Sequence, residues 1–155
     1  MISRRQTREY LLQTLYARAN ISPFDRGIFY GAYFLGDHSL SLDMIYLDGM
    51  EKLLIEHEWA LIGLISLIAP RFDLETIPTM HILILMISLT EMIYWSGETI
   101  PSSVSVNEAI ELTKRFSDDS GKTFINGALA TFLKEKETLK LKAVDGTFRI
   151  FKTGV

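Results

Sequence analysis

Residues 79–95 read TMHILILMISLTEMIYW, and the fold turns on how this stretch is read. From Met80 to Trp95 only His81, Ser88, Thr90 and Glu91 interrupt a run of apolar and aromatic side chains. A membrane-spanning helix needs about 20 consecutive apolar residues and tolerates an intramembrane carboxylate poorly. This run is shorter and holds both His81 and Glu91; the other very apolar run, Trp59 to Ala69, is shorter still and stops at Pro70. Both are therefore read as helices buried in a protein core, and no membrane partner is expected. A helix with so thin a polar stripe either is enclosed on every side or shows an apolar face to a partner.

Helical periodicity extends outward from there over residues 1–137. Ser3 with Gln6 three residues on reads as a capping box, and Leu11, Leu12, Leu15, Tyr16 and Ala19 follow at helical spacing until Asn20, ahead of Pro23. A second helix opens after Ser22-Pro23, carries Phe24, Ile28, Phe29 and Phe34, and ends near Gly36. A third starts around Ser41, runs through Leu47, Met50, Leu54 and Ile55 towards Ala69, and breaks near Gly63. Arg71 to Pro78 is a connector, and Thr79 caps the helix that reaches Trp95. After a loop from Gly97 to Ser103, Ser105 and Glu108 form a second capping box that opens Val106 to Phe116. The loop Ser117 to Gly121 leads into a last helix, Lys122 to about Glu137. The expected fold is all-α, about seven helices in a single domain over 1–137. A basic C-terminal extension, 138–155, follows, where Leu139, Leu141 and Ala143 alternate with Lys140 and Lys142 before Asp145-Gly146; that pattern predicts a short β-hairpin.

Composition bounds the function. The chain has 155 residues, 48% hydrophobic and 23% charged, enough to bury one sizeable core. A net charge of -3 does not describe a general nucleic-acid binder, yet basic charge collects at the two ends: Arg4, Arg5 and Arg8, and then Lys134, Lys136, Lys140, Lys142, Arg149 and Lys152. Without cysteine there is no disulfide and no thiolate zinc site, which is compatible with the cytoplasm. His38, His57 and His81 show no metal-pair spacing, and no metal or cofactor is expected. Ser120-Gly121-Lys122-Thr123 resembles the end of a phosphate-binding loop, but Phe116 stands where the motif needs its first glycine. No GxSxG turn is present, and nothing local points to an enzyme.

Two places could bind nucleic acid. Arginine in the first turn of a helix opposes the helix dipole, whereas the free N–H groups there attract anions. Arg4, Arg5 and Arg8 therefore make a candidate phosphate site, the plain alternative being a solvated basic face. Lys122 to Gly127 also stands at a helix start. Phe124 beside Lys122 offers a stacking ring next to a phosphate contact, or is an ordinary core residue. Gly127 inside that helix reads as room for close packing of a neighbouring helix.

These segments resemble one family. Arg4-Arg5-Gln6-Thr7-Arg8-Glu9 followed by Leu12-Gln13-Thr14-Leu15-Tyr16 is similar to the opening of NusB proteins. Val104 to Leu112 resembles their I-N-E-A-I-E-L-A helix, Phe124 to Leu129 their F-I-N-G-V-L segment, and Leu89-Thr90-Glu91-Met92, more loosely, L-Y-E-L. The ordered set covers residues 4 to about 133. The resemblance implies two packed three- and four-helix subdomains and a transcription antitermination factor for ribosomal RNA operons. Such a factor binds boxA-like single-stranded RNA with the ribosomal protein NusE and joins the RNA polymerase antitermination complex. It further implies Arg4, Arg5, Arg8, Tyr16, Lys122, Thr123 and Phe124 as RNA contacts, Asn126 as a backbone support, and a partner surface with Met80, His81, Ile84 and Glu91. The chain departs from the family pattern at His81 and Met86, where an acidic residue and an arginine are common, and at Thr123, where lysine usually precedes the phenylalanine. The basic tail has no family counterpart. The alternative reading keeps the fold as a protein-interaction module or homodimer without sequence-selective RNA binding.

Overall fold

The structure, a computed structural model, describes residues 3–27, 42–142 and 150–151. Its helices are α1 (Arg4–Asn20), α2 (Met44–Glu56), α3 (Glu58–Ile68), α4 (Thr79–Ile93), α5 (Ser102–Phe116) and α6 (Asp119–Lys142), with a 3₁₀ turn at Leu74–Thr76. The described residues are thus all-helical. The second expected helix falls mostly outside them, although Arg26 and Gly27 are helical at its start.

The stretch at 79–95 becomes α4, and α4 is the axis of the molecule. It touches each of the other five helices. Eleven consecutive residues, His81 to Glu91, are buried, so the thin polar stripe faces other helices and not water. One continuous core follows, in which Leu11, Leu15, Leu47, Met50, Leu61, Ile65, Leu83, Leu85, Ile125 and Leu129 are all fully enclosed or nearly so. Among the described residues no helix is long and apolar enough to cross a membrane.

Several boundaries move, some of them because a distant partner outweighs the local signal. The break in the third expected helix comes at His57 and not at Gly63, which is buried inside α3. His57 closes α2 and opens α3, and its ring stacks on Tyr94 at 3.8 Å and 3°. Glu58, in the first turn of α3, is 2% exposed and accepts the backbone N–H groups of Ile150 and Phe151 at 2.6 and 3.0 Å. Thr79 is the first residue of α4 and not its cap, which is Pro78. Ser105 is not a cap either: α5 begins three residues earlier, after Pro101, and the Ser105 hydroxyl donates to buried Glu91 at 2.8 Å. At the start of α6, Asp118 accepts the Gly121 N–H at 2.9 Å and draws the helix back to Asp119.

The far end of α6 overturns the first strand of the expected hairpin. The helix continues through Lys142, bent at Glu135 (φ -119, ψ 15), because Leu139 extends the buried stripe of Ile125, Leu129 and Phe132. A five-residue alternation is too short to separate the two periods. The Asp145-Gly146 turn lies outside the described residues. Gly127 is corrected as well: no heavy atom lies within 4 Å of where its Cβ would stand, so it borders open space and no helix packs against it.

Candidate nucleic-acid interface

Three arginines with one chemistry meet three environments at the start of α1. The helix is capped by Ser3, whose hydroxyl accepts the Gln6 N–H at 3.1 Å, and no acidic residue stands in its first turn. The carboxylates come instead from other elements. Arg4 reaches Asp43, the cap of α2, at 2.9 Å and Glu98 at 2.5 Å, and lies 4.3 Å over the Tyr46 ring. Arg5 grips both oxygens of Glu108 on α5 at 3.1 and 2.9 Å while its side chain stays 56% exposed. Arg8 is 5% exposed and grips both oxygens of Glu91 on α4 at 2.6 and 3.1 Å.

Glu91 is the hub of a buried polar network. It also accepts the Ser105 hydroxyl and the Tyr46 phenol. Burial works against the Arg8 charge, but the hydrogen bonds and charge of Glu91 outweigh it and hold the guanidinium ionised. Burial, reinforced by the Glu91 charge, pushes the Tyr46 phenol well above its ordinary range, so it stays a neutral donor. Arg8 therefore ties α1 to α4 and does not face solvent. Helix phase carried that signal: at about 100° per residue, Arg8 falls in the middle of the stripe of Leu11, Leu12, Leu15 and Ala19. Arg5 falls at its edge, on the same flank as Tyr16, which is 42% exposed three turns further along.

The second cluster surrounds Phe124. Lys122 is partly exposed and 4.0 Å from Asp119, a weak surface pair. Thr123 is exposed and donates back to the Asp119 carbonyl at 3.2 Å. The half-buried Phe124 ring lies against His81, with centroids 6.1 Å apart and 27° between planes. His81 is buried and its Nε2 sits 2.5 Å from the Ser117 hydroxyl. A Cβ on Gly121 would stand 2.5 Å from that same nitrogen and 2.7 Å from the Ser117 hydroxyl, so a side chain here would force both groups to shift. Burial lowers the His81 pKa, with Asp118 opposing, which favours a neutral ring. Phe124 also borders an open groove of about 510 Å³, floored by Gly127 and walled by Leu67 and Phe72.

The two clusters are linked through α5. Glu108 of α5 holds Arg5, and seven residues along the same helix Arg115 meets Glu9 of α1 at 3.4 Å. The chain then turns through Ser117 into α6 and Lys122. Arg115 and Lys114, 63% and 53% exposed, stand in the last turn of α5, and neither was expected from the sequence.

Of the expected partner surface, Met80 is half-buried, His81 is buried beneath Phe124, and Ile84 and Glu91 lie inside the core. No group of histidine and carboxylate side chains among the described residues could hold a metal ion.

Comparison with known proteins places the chain. The model of the NusB family matches residues 5–134. Relatives named transcription antitermination protein NusB include one from Clostridium perfringens, 32% identical over 139 residues, which covers 88% of this chain and 100% of that protein. One from Limosilactobacillus reuteri is 33% identical over 86% of this chain and 95% of its own length. The alignments with those of Finegoldia magna and Bacillus velezensis, at 36% and 39% identity, span 62% and 63% of those proteins. Matched to the family model over most of its residues, and to a named member from end to end, the chain belongs to the NusB family.

Proposed function

We propose that the chain is a transcription antitermination factor, a binding protein and not an enzyme. It takes up boxA-like single-stranded RNA together with the ribosomal protein NusE, within the RNA polymerase antitermination complex that transcribes ribosomal RNA operons. A cytoplasmic location follows from those partners. The observation that carries the reading is the run of exposed cations on α1, α5 and α6, Arg5, Arg115 and Lys122, with the half-buried Phe124 ring two residues beyond the last. Cations in such a run suit consecutive phosphates, and an adjacent ring suits an unstacked base. Arg4 and Tyr16 flank this track, Thr123 adds a hydroxyl beside it, and Arg8 acts beneath it by fixing α1 on α4. In the NusE contact we assign Met80 the surface position, with His81, Ile84 and Glu91 supporting it from below. A homodimer formed through α4 would need an exposed apolar face there, and residues 81–91 are buried.

The test is anisotropy of a labelled boxA-like RNA with wild type and with Arg5→Glu/Lys122→Glu, each with and without NusE. Binding should fall as salt rises, and the double variant should lose at least tenfold in affinity with its helical circular dichroism intact. Equal affinity for both proteins would overturn the assignment of these cations.

A further inference from the structure

Phe72 is a large aromatic side chain left outside the core, 53% exposed, in the connector between α3 and α4. It is nonetheless held in place. Its N–H donates to the Ala69 carbonyl at 3.1 Å, and the next residue, Asp73, caps the 3₁₀ turn by accepting the Glu75 N–H at 3.1 Å. The ring meets Phe124 edge to face, with centroids 4.9 Å apart and planes at 81°. The two rings form a ridge between two hollows. One is the groove of about 510 Å³ over Gly127; the other, about 370 Å³, is bordered by Thr76, Pro78 and Ser120. Both are of the size that admits a small ligand.

The charge around the ridge chooses the occupant. Arg71, exposed beside Phe72, makes no ion pair among the described residues, and Lys122 has only its weak contact with Asp119. The neighbouring carboxylates of Asp73 and Asp118 are turned onto backbone N–H groups, and exposed Glu135 is the acidic residue among those lining the larger groove, against Arg71. Rings flanked by cations and by the hydroxyls of Thr76, Ser120 and Thr123 suit a base with phosphates on either side better than an apolar peptide.

We propose that Phe72 and Phe124 together form a two-ring platform for an unstacked nucleobase of single-stranded RNA, with Arg71 and Lys122 taking the adjoining phosphates. This rests on the RNA-binding reading and adds Phe72 and Arg71 to it. The platform is built before RNA arrives, since the turn at 69–72 and the His81 ring behind Phe124 already fix both rings.

The experiment measures anisotropy of the boxA-like RNA with wild type, Phe72→Ala, Phe72→Leu, Arg71→Ala and the distant Arg5→Glu. It is joined to ¹³C-resolved ring signals of Phe72 and Phe124 as RNA is added. Loss of a base stack should weaken binding about tenfold in both Phe72 variants. Arg71→Ala should cost a few-fold and reduce the salt dependence by about one phosphate. Both ring signals should shift in the wild type. Phe72 is exposed, so unchanged thermal midpoints are expected for its variants. If Arg5→Glu loses affinity while both Phe72 variants bind like wild type and the rings do not shift, the platform is overturned and the RNA reading stands. If Phe72→Leu binds like wild type and Phe72→Ala does not, the contact is apolar and the stacking assignment is wrong. A wild type that binds no RNA at low salt, even beside NusE, removes the RNA reading and the platform with it.

Discussion

Arg8–Glu91 and Arg5–Glu108 are the same bond in two places. Both are two-pronged guanidinium–carboxylate pairs that start from one helix, three residues apart. The side chains of the first pair are 5% and 1% exposed, those of the second 56% and 12%. In the buried pair each charge depends on the other, because water is absent. In the exposed pair the carboxylate holds a cation that a phosphate could take over with little loss, since surface pairs contribute little to stability. The contrast teaches that the arginine cluster at the head of this fold is divided between architecture and recognition, and that burial decides the division.

The largest effect should come from breaking the buried side. Arg8→Ala leaves Glu91 charged and uncompensated in the core and should cost about 3–5 kcal/mol in urea unfolding. A stability loss no larger than that of an average surface variant would erase the contrast. Next, Glu58→Ala removes a buried carboxylate that accepts two backbone N–H groups and should cost about 1–3 kcal/mol by the same measurement. A smaller effect concerns pH. The folded state holds the His81 pKa below its ordinary value, so the unfolded chain binds that proton more readily. Stability from this site is present above the ordinary pKa, about 6.5, and declines as pH falls through it towards the lowered folded value. The thermal midpoint should sag between pH 7 and 5, and His81→Gln should flatten that sag. The smallest structural effect is expected on the exposed side. Arg5→Ala should leave the thermal midpoint within the scatter of repeat scans while RNA affinity falls a few-fold and the salt slope drops by about one. An Arg5→Ala protein that unfolds early would move this arginine to the architectural side.

The sequence showed the helices whose own residues decide them. The apolar run at 79–95 had no reading but burial or a partner face once its length was counted, and the leucine stripe of α1 set that helix from Ser3 to Asn20. It did not show the corners. Ser105 looks like a cap until the buried oxygen of Glu91 claims its hydroxyl, and the alternating tail looks like a strand until Leu139 finds the core. The first outcome depends on a residue 14 positions away, and the second on burial that a short alternation does not reveal. The candidate site divides the same way. The arginine cluster was legible as a cluster, but all three arginines were read alike; the helix phase that sets Arg8 apart from Arg5 was the signal left unused. Phe72 was not legible, because a lone aromatic in a connector gains meaning only when folding sets its ring against Phe124 from a different helix.

The carboxylate of Glu58 has a consequence in time. Its backbone donors lie 92 and 93 residues further along the chain. At about 5–20 residues per second, a ribosome needs on the order of 5–20 s to deliver them after Glu58 has emerged. The first turn of α3 must wait that long for these two bonds, and so long a loop closes slowly even when both ends are free. The corner at His57 is thus a late-setting joint: the first half of the chain can form its helices early, while their final seating is timed by residues made near the end of the known sequence.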